Sequence, residues 1–215
     1  MTSTTDTRTT AVAPRRRDVA VLVCLAGASG AALVAQVVFD LSMTWTSGLV
    51  ALPATGLVVG AAFAGRREND RLAVVADRLV AGALWGLVAT LAYDAARPLL
   101  VWGLSLDFAP YRAHATFGSL ITGQPRGTTT ATVVGWGYHF WNGIGFGTMF
   151  ALVRPRGPWP AGLVWALGLQ GLMMALYPRF LEVRLDDPGF LVTTIVGHGI
   201  YGIVLGSCLA RRGPA

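Results

Sequence analysis

Six long apolar segments limit this chain to very few folds. Each segment is close to the roughly 20 residues that an α-helix needs to cross the hydrocarbon core of a bilayer. Only 13% of the 215 residues are charged, whereas soluble globular proteins average about 25%. We therefore predict an all-α integral membrane bundle of about six transmembrane helices, with the lipid bilayer as its surroundings. The predicted spans are 19–41, 46–64, 79–102, 131–153, 159–178 and 190–210.

The distribution of arginine predicts how this bundle is oriented. All 17 basic residues are arginines, and the formal net charge is +6. Cytoplasmic loops of membrane proteins carry the excess of positive charge. With the N-terminus inside, the cytoplasmic side holds the larger group of arginines and the opposite side holds five. The cytoplasmic group is Arg8, Arg15, Arg16, Arg17, Arg66, Arg67, Arg71, Arg78, Arg154, Arg156, Arg211 and Arg212.

This charge pattern also bears on localisation and partners. The absence of lysine beside abundant alanine, glycine and arginine is typical of a GC-rich bacterial genome. We expect a multi-pass protein of a bacterial plasma membrane with both termini cytoplasmic. Because the surplus positive charge serves topology, we expect no nucleic-acid binding.

The N-terminal part is predicted to contain a tail and two helices. Residues 1–18 are rich in threonine and end beside three arginines, which predicts a disordered cytoplasmic tail. The apolar segment that follows is longer than the 7–15 residues of a signal-peptide core, so we expect it to remain as a span. Residues 19–64 would then form two transmembrane helices.

The last four spans are predicted to form a duplicated two-helix hairpin. Residues 139–148 read HFWNGIGFGT and residues 198–207 read HGIYGIVLGS. Two earlier helices share the pattern AGxxW, at 81–85 and 161–165, and each is followed by a proline near its end. Such internal similarity indicates repeated units that enter the membrane in the same direction. The first unit would cover 79–153, with a long outer loop at 103–130, and the second 159–210.

Glycines four residues apart predict how these helices pack. Small residues at this spacing allow helix backbones to approach closely in lipid. The same faces fit a second copy of the chain or another membrane protein. The expected packing glycines are Gly82, Gly86, Gly143, Gly147, Gly202 and Gly206, and the pair Gly56 and Gly60 has the same spacing.

Polar residues inside the apolar spans predict a functional site. An ionisable side chain within a membrane helix is costly and usually functional. His139 and His198 occupy equivalent positions of the two repeats, and Asp94 should lie at a similar depth near the outer side. The second repeat has Met174 in place of Asp94, so the site would be asymmetric. The predicted site residues are His139, His198, Asp94, Asn142, Tyr201 and Tyr138.

Several chemistries could use this set. His139, His198 and Asp94 could bind a divalent metal or non-haem iron, or the two histidines could ligate haem b. A His/Asp relay could instead move protons with a small solute or ion, which is the role that we expect first. The metal or haem alternative implies a redox enzyme or electron carrier. The third alternative is a non-catalytic subunit in which the histidines only join helices.

Two neighbouring residues, Arg97 and His114, bear on this site. Asp94 and Arg97 lie three residues apart and could form an ion pair that neutralises the acid. His114, in the predicted outer loop, is expected to be solvated. The sequence contains no P-loop, nucleotide-binding fingerprint, CxxC pair or HExxH motif.

The motifs resemble those of a family of small bacterial multi-pass membrane proteins known only as a domain of unknown function. That family has a GAxxGxxAT helix, an HxxxGxxFG helix and an HxxYGxxLG helix. The corresponding segments here begin at Gly82, His139 and His198, and the resemblance covers about residues 79–210. It departs at Met149 and Phe150, where the family usually has a tyrosine. The resemblance implies the helical architecture and brings no established activity.

Overall fold

The computed structural model describes residues 14–68, 70–176 and 184–212, and every regular element in these ranges is a helix. This confirms the predicted all-α class. The α-helices are α1 Arg16–Ala26, α2 Ala28–Phe39, α3 Met43–Trp45, α4 Leu52–Glu68, α5 Asp70–Gly103, α6 Arg112–Thr122, α7 Thr129–Val153, α8 Trp159–Leu176 and α9 Pro188–Ala210. A six-residue π-helix, Thr46–Ala51, joins α3 to α4.

Parts of the predicted organisation fall outside the described residues. These parts are residues 1–13 of the predicted tail and residues 177–183, which include the end of the predicted fifth span. At the other end of the predicted tail, Arg16, Arg17 and Asp18 form the first turn of α1.

The first predicted span is a pair of helices with a bend between them. The axes of α1 and α2 differ by 58°, and Gly27 separates the two helices. A Cβ atom on Gly27 would lie 3.0 Å from the Met149 sulfur, and one on Gly30 would lie 2.9 Å from the Phe146 ring. The small residues around the bend therefore allow both helices to pack closely on α7.

Helix α5 is the longest element and contains Pro98. Proline has no N–H group, so it cannot donate to the carbonyl group four residues earlier. In α5 that carbonyl belongs to Asp94, and it accepts a 2.8 Å hydrogen bond from the Tyr111 hydroxyl instead. The proline thus leaves a backbone acceptor that ties the loop before α6 to α5.

Helix α6 lies within the segment 103–130 that was predicted as a long loop. It packs on α7 through Gly118 and Gly135. A Cβ atom on Gly118 would overlap the Ala131 carbonyl, and one on Gly135 would overlap the His114 carbonyl. The two backbones are therefore in direct contact, which explains why small residues are needed at both positions.

The predicted packing glycines of the later helices lie at two helix crossings. Where α5 crosses α7, a Cβ atom on Gly82 would lie 2.5 Å from the Thr148 Cα, and one on Gly86 would lie 2.9 Å from the Gly143 carbonyl oxygen. Where α8 crosses α9, Gly162 touches the Gly202 backbone, and a Cβ atom on Gly206 would lie 2.7 Å from the Pro158 carbonyl oxygen.

The glycine pair in α4 behaves differently. A Cβ atom on Gly56 or Gly60 would meet no atom of the described residues within 4 Å. This pair therefore packs no helix crossing within the described chain, in contrast to the expectation from its spacing.

Four helical segments are long and apolar enough to cross a membrane, and the bent pair α1–α2 would make a fifth. These candidate spans indicate a membrane protein. The four are Met43–Gly65, Leu72–Gly103, Trp159–Leu176 and Pro188–Ala210. The sequence predicts six spans, whereas the described helices provide four or five candidates.

The difference lies in α7, which was predicted as the fourth span. It has 25 residues, but its glycines, tryptophans, His139 and Asn142 make it less apolar than the other long helices. Helices α1, α2, α5 and α6 pack against it. A helix enclosed by others needs fewer apolar side chains than one that faces lipid, so α7 forms the centre of the bundle.

Candidate metal centre

Buried Asp94 on α5 and partly buried His139 on α7 form a pair. The His139 Nε2 atom lies 3.0 Å from both carboxylate oxygens of Asp94, so its N–H group can donate to the carboxylate. The close crossing of α5 and α7 at Gly86 and Gly143 holds the two helices at the distance that this contact requires. The pair joins an anionic ligand and an imidazole in a largely apolar environment.

His114 on α6 completes the group. Its ring stacks on the His139 ring with 4.3 Å between centroids and an angle of 28° between the planes. His114 is 3% exposed, so the expectation of a solvated side chain is wrong. The reason is the Gly118–Gly135 contact, which presses the first turns of α6 against α7.

The electrostatic environment keeps His114 neutral. Its Nδ1 atom is buried and has no hydrogen-bond partner among the described residues. Burial lowers the pKa of His114 far below its ordinary value of 6.5, and the nearby His139 and Arg97 lower it further. A neutral imidazole is the form that binds metal ions.

Asp94, His114 and His139 each offer a ligand atom, and these atoms lie within 4.8 Å of one another. Within the described ranges, this is the only group of three or more potential metal-binding residues of the His, Cys, Asp or Glu type. Metal–nitrogen and metal–oxygen bonds are about 2 Å long, so ligands of one ion lie within about 4 Å of each other. Modest side-chain rotations would therefore suffice to bind an ion.

Arg97 does not pair with Asp94, contrary to the hypothesis from their spacing. The Asp94 carboxylate faces His139, and no ion pair or hydrogen bond of the Arg97 side chain occurs among the described residues. The Arg97 guanidinium carbon lies 4.9 Å from the centroid of the Tyr93 ring and 5.5 Å from that of the Tyr111 ring. The Asp94 carboxylate thus remains available to act with His114 and His139.

His198 lies near this group without belonging to it. Its Nδ1 atom donates a 2.8 Å hydrogen bond to the Thr194 carbonyl of the same helix. The Tyr93 ring contacts both His198, at 5.0 Å between centroids, and His139, at 5.7 Å. The structure therefore separates the two histidines that the sequence repeat paired, and it places His114 beside His139.

The other predicted site residues have different surroundings. The Tyr201 hydroxyl donates to the Gly143 carbonyl over 2.7 Å and joins α9 to α7. The Asn142 Oδ1 atom is buried without a hydrogen-bond partner in the described chain. Tyr138 points elsewhere, because its hydroxyl donates to the Ser29 carbonyl and its ring packs with Leu33.

A cavity of about 480 Å³ lies beside the group. Its wall includes His114, His139 and His198, and its polar surface also contains Asn142 and Gln170. Pockets of roughly 300–1,000 Å³ are typical of small-molecule sites. Loop residues before α6 and before α9 also contribute to the wall, on the side opposite the arginine-rich loops. The group can therefore meet a small molecule that enters the cavity.

Haem b does not fit this arrangement. Ligation by His139 and His198 would require the macrocycle to lie between their two rings. The Tyr93 ring contacts both imidazoles and is 8% exposed, so it fills the space that the macrocycle would need. The donor set is instead suited to a single divalent ion.

Sequence reasoning missed His114 because α6 was not recognised. The segment does carry helix signals: Phe117, Leu120 and Ile121 recur at helical spacing, and Gly123 follows the last residue. Gly123 adopts a left-handed conformation with φ of 69°, as expected of a residue that ends a helix. A helical His114 would have been a candidate for the same site.

Two imidazoles and one carboxylate form a recognised metal-binding set. It occurs at non-haem iron centres with open positions and at catalytic zinc centres. Such a centre polarises a bound carbonyl group or activates water. The present arrangement supplies the three protein ligands and an adjacent cavity.

No protein-family model matches the chain, and neither does any curated protein or solved structure.

Proposed function

We propose that this chain is a multi-pass membrane protein that binds a divalent transition-metal ion through Asp94, His114 and His139. The ion would be presented to a small molecule in the adjacent cavity, as in a metal-dependent membrane enzyme. The observation that carries the proposal is the convergence of three ligand atoms from three different helices within 4.8 Å. Three protein ligands leave further coordination positions for water or a substrate, which is typical of catalytic metal sites.

The burial of the group supports a ligand-binding role over a purely structural one. A buried histidine without a hydrogen-bond partner costs free energy unless a ligand satisfies it. His114 Nδ1 is such an atom. A histidine that only joined helices would be expected to bond to a protein acceptor, as His139 does with Asp94 on α5, whereas His114 Nδ1 has no such bond among the described residues.

We propose further that α7 also crosses the bilayer, which gives six spans, and that the cavity opens to the outer side. Support for this orientation comes from the arginines, of which the larger share lies on the opposite side. The loop residues Asp107 and Arg184 on the cavity wall would then face the exterior of a bacterial plasma membrane.

The glycine contacts support the proposed duplication of the hairpin. Gly82 and Gly162 have equivalent positions in the repeat, as do Gly147 and Gly206. Gly82 approaches Gly147, and Gly162 approaches Gly206. Equivalent glycines thus make equivalent contacts in the two helix pairs, which supports the proposed duplication and favours the resemblance to the family of small bacterial multi-pass membrane proteins.

Transport of a small solute or ion is the second candidate function. It is favoured by the position of the cavity, whose wall takes residues from both α5 and α7 and from both α8 and α9. Transporters with internal repeats bind their substrates between the repeated units. A flux into proteoliposomes that requires His139 and His198 and continues with chelator present would favour this alternative.

A titration with Co²⁺ tests the metal proposal. Purified protein in maltoside detergent should bind one equivalent and develop the visible absorption bands of a cobalt ion with nitrogen and oxygen ligands. Asp94→Asn keeps the shape of the side chain and removes its charge, so it should abolish these bands, as should His139→Asn. Absence of binding by the folded wild-type protein, or equal binding by the variants, would refute the proposal.

A further inference from the structure

Arg97 is a buried cation on the wall of the cavity, and nothing in the metal site uses it. The residue is 4% exposed, and its Nε atom has no hydrogen-bond partner within the described ranges. Arginine stays protonated under all ordinary conditions. An unpaired buried charge is costly, so a buried guanidinium is expected to have an anionic partner.

Among the residues that the structure describes, the acidic side chains near the cavity do not supply that partner. The Asp94 carboxylate binds His139, and Asp187 accepts hydrogen bonds from the Gly189 and Phe190 amides at the start of α9. Asp107 is on the cavity wall, but it forms no ion pair with Arg97 among the described residues.

Two tyrosines place Arg97 beside the metal group. The Tyr93 ring is within 6 Å of both the Arg97 guanidinium carbon and the His139 ring, and the Tyr111 ring is within 6 Å of both the guanidinium carbon and the His114 ring. Arg97, His114 and His139 therefore all line the same cavity. A molecule of a few carbon atoms could contact Arg97 and the metal group together.

The remainder of the cavity wall determines what this molecule looks like. Apolar side chains from several helices line it, including Leu33, Phe117, Phe146, Leu169 and Met173. Such a surface favours an apolar body over a sugar or a highly charged phosphate ester. The planar guanidinium matches the two oxygens of a carboxylate.

We infer that the cavity binds an apolar carboxylic acid, whose carboxylate pairs with the Arg97 guanidinium and whose body packs against the apolar wall. The inference deepens the proposed function and rests on it, since it names the substrate class of the same site. Arg97 is a binding residue in this account and takes no part in holding the metal.

Calorimetry with 4-phenylbutyrate tests the inference, and 4-phenylbutanol serves as the neutral counterpart of the same shape. The wild-type protein in maltoside should bind the carboxylate at least about 10-fold more tightly than the alcohol, because a hydrogen-bonded ion pair replaces a neutral contact. This comparison needs no variant. Equal affinity for the two compounds would overturn the inference.

Variants then assign the effect to Arg97. Arg97→Gln should lose the preference for the carboxylate, Arg97→Lys should retain part of it, and Arg184→Gln, on the exposed part of the wall, should retain it fully. If Arg97→Gln kept the preference, or if Arg97 merely supported the two tyrosines so that only thermal stability changed, the inference would be wrong.

Two further measurements separate this inference from the metal proposal. Metal stoichiometry of Arg97→Gln should equal that of the wild type, since Arg97 is not a ligand. Chelator-treated wild-type protein should still prefer 4-phenylbutyrate, because Arg97 remains in place without the metal. A wild-type protein that binds no metal but prefers 4-phenylbutyrate would refute only the metal site. A wild-type protein that binds metal but shows no preference for 4-phenylbutyrate would refute only the carboxylate site.

Discussion

The Tyr111 hydroxyl donates a 2.8 Å hydrogen bond to the Asp94 backbone carbonyl, which Pro98 leaves without its usual helical donor. This bond joins the loop before α6 to α5 directly beside a proposed metal ligand. The proline in the membrane helix therefore helps to position His114, three residues after Tyr111. Through this contact, the proline in α5 influences the geometry of the site.

Removing this hydroxyl should weaken the site without removing a ligand. We expect Tyr111→Phe to lower the free energy of unfolding by about 1 kcal/mol, the usual net contribution of one hydrogen bond, and to bind metal about 5-fold more weakly. Thermal unfolding in detergent and Co²⁺ titration measure the two effects. Tyr93→Phe is the control, because the Tyr93 hydroxyl makes no hydrogen bond among the described residues. Equal effects of the two variants would contradict the role assigned to Tyr111.

A methyl group at the α6–α7 contact should displace His114. Gly135→Ala would place a Cβ atom on the His114 carbonyl, so α6 must move away from α7. Overpacking of this kind costs about 1–3 kcal/mol, and the Co²⁺ affinity should fall with it. Gly137→Ala, two residues further along α7, meets nothing within 4 Å in the described structure and is the matched control. If both variants bound Co²⁺ like the wild type, the contact would not position the site.

Acid should destabilise the metal-free protein through His114. Helix α6 is not one of the candidate spans, and the pKa of His114 is lowered in the folded state by burial, His139 and Arg97. Below pH 6.5, which is the ordinary pKa of histidine, His114 takes up a proton in the unfolded chain but not in the folded chain. Stability therefore decreases as the pH falls below this value, by at most about 1.4 kcal/mol per pH unit from this residue.

The pH effect can be assigned by comparison with His114→Asn. Thermal midpoints measured between pH 7 and pH 5, with chelator present, should fall less steeply for the variant than for the wild type. His139, Asp94 and Tyr111 surround His114 and remain in both proteins, so their contributions cancel to first order. Parallel pH profiles would show that burial does not suppress protonation of His114.

The apolar segments were sufficient to predict the helical class and the approximate positions of the long helices. They could not establish how many helices cross the membrane. Helix α7 contains His139 and Asn142 and is covered by neighbouring helices, so its hydropathy reflects protein contacts as well as lipid. Composition alone does not separate these two environments.

The candidate site was only partly accessible from the sequence. Asp94 and His139 could be placed at a similar depth by counting along their helices, whereas the direction of each side chain depends on helix rotation. Spacing suggested that Asp94 pairs with Arg97, but the carboxylate turns to His139. His114 joins the site through a backbone contact between Gly118 and Gly135, which a motif search for paired histidines does not detect.

The metal content of two histidine variants tests the central claim most directly. His114→Asn and His198→Asn each remove one imidazole from the wall of the same cavity, but only His114 belongs to the group of three ligand atoms. After equilibration with one equivalent of Zn²⁺, His198→Asn should retain that equivalent. His114→Asn should bind at least about 100-fold more weakly, since even an outer residue that supports a ligand contributes 10- to 100-fold. Retention of zinc by a folded His114→Asn, with loss in His198→Asn, would contradict the account.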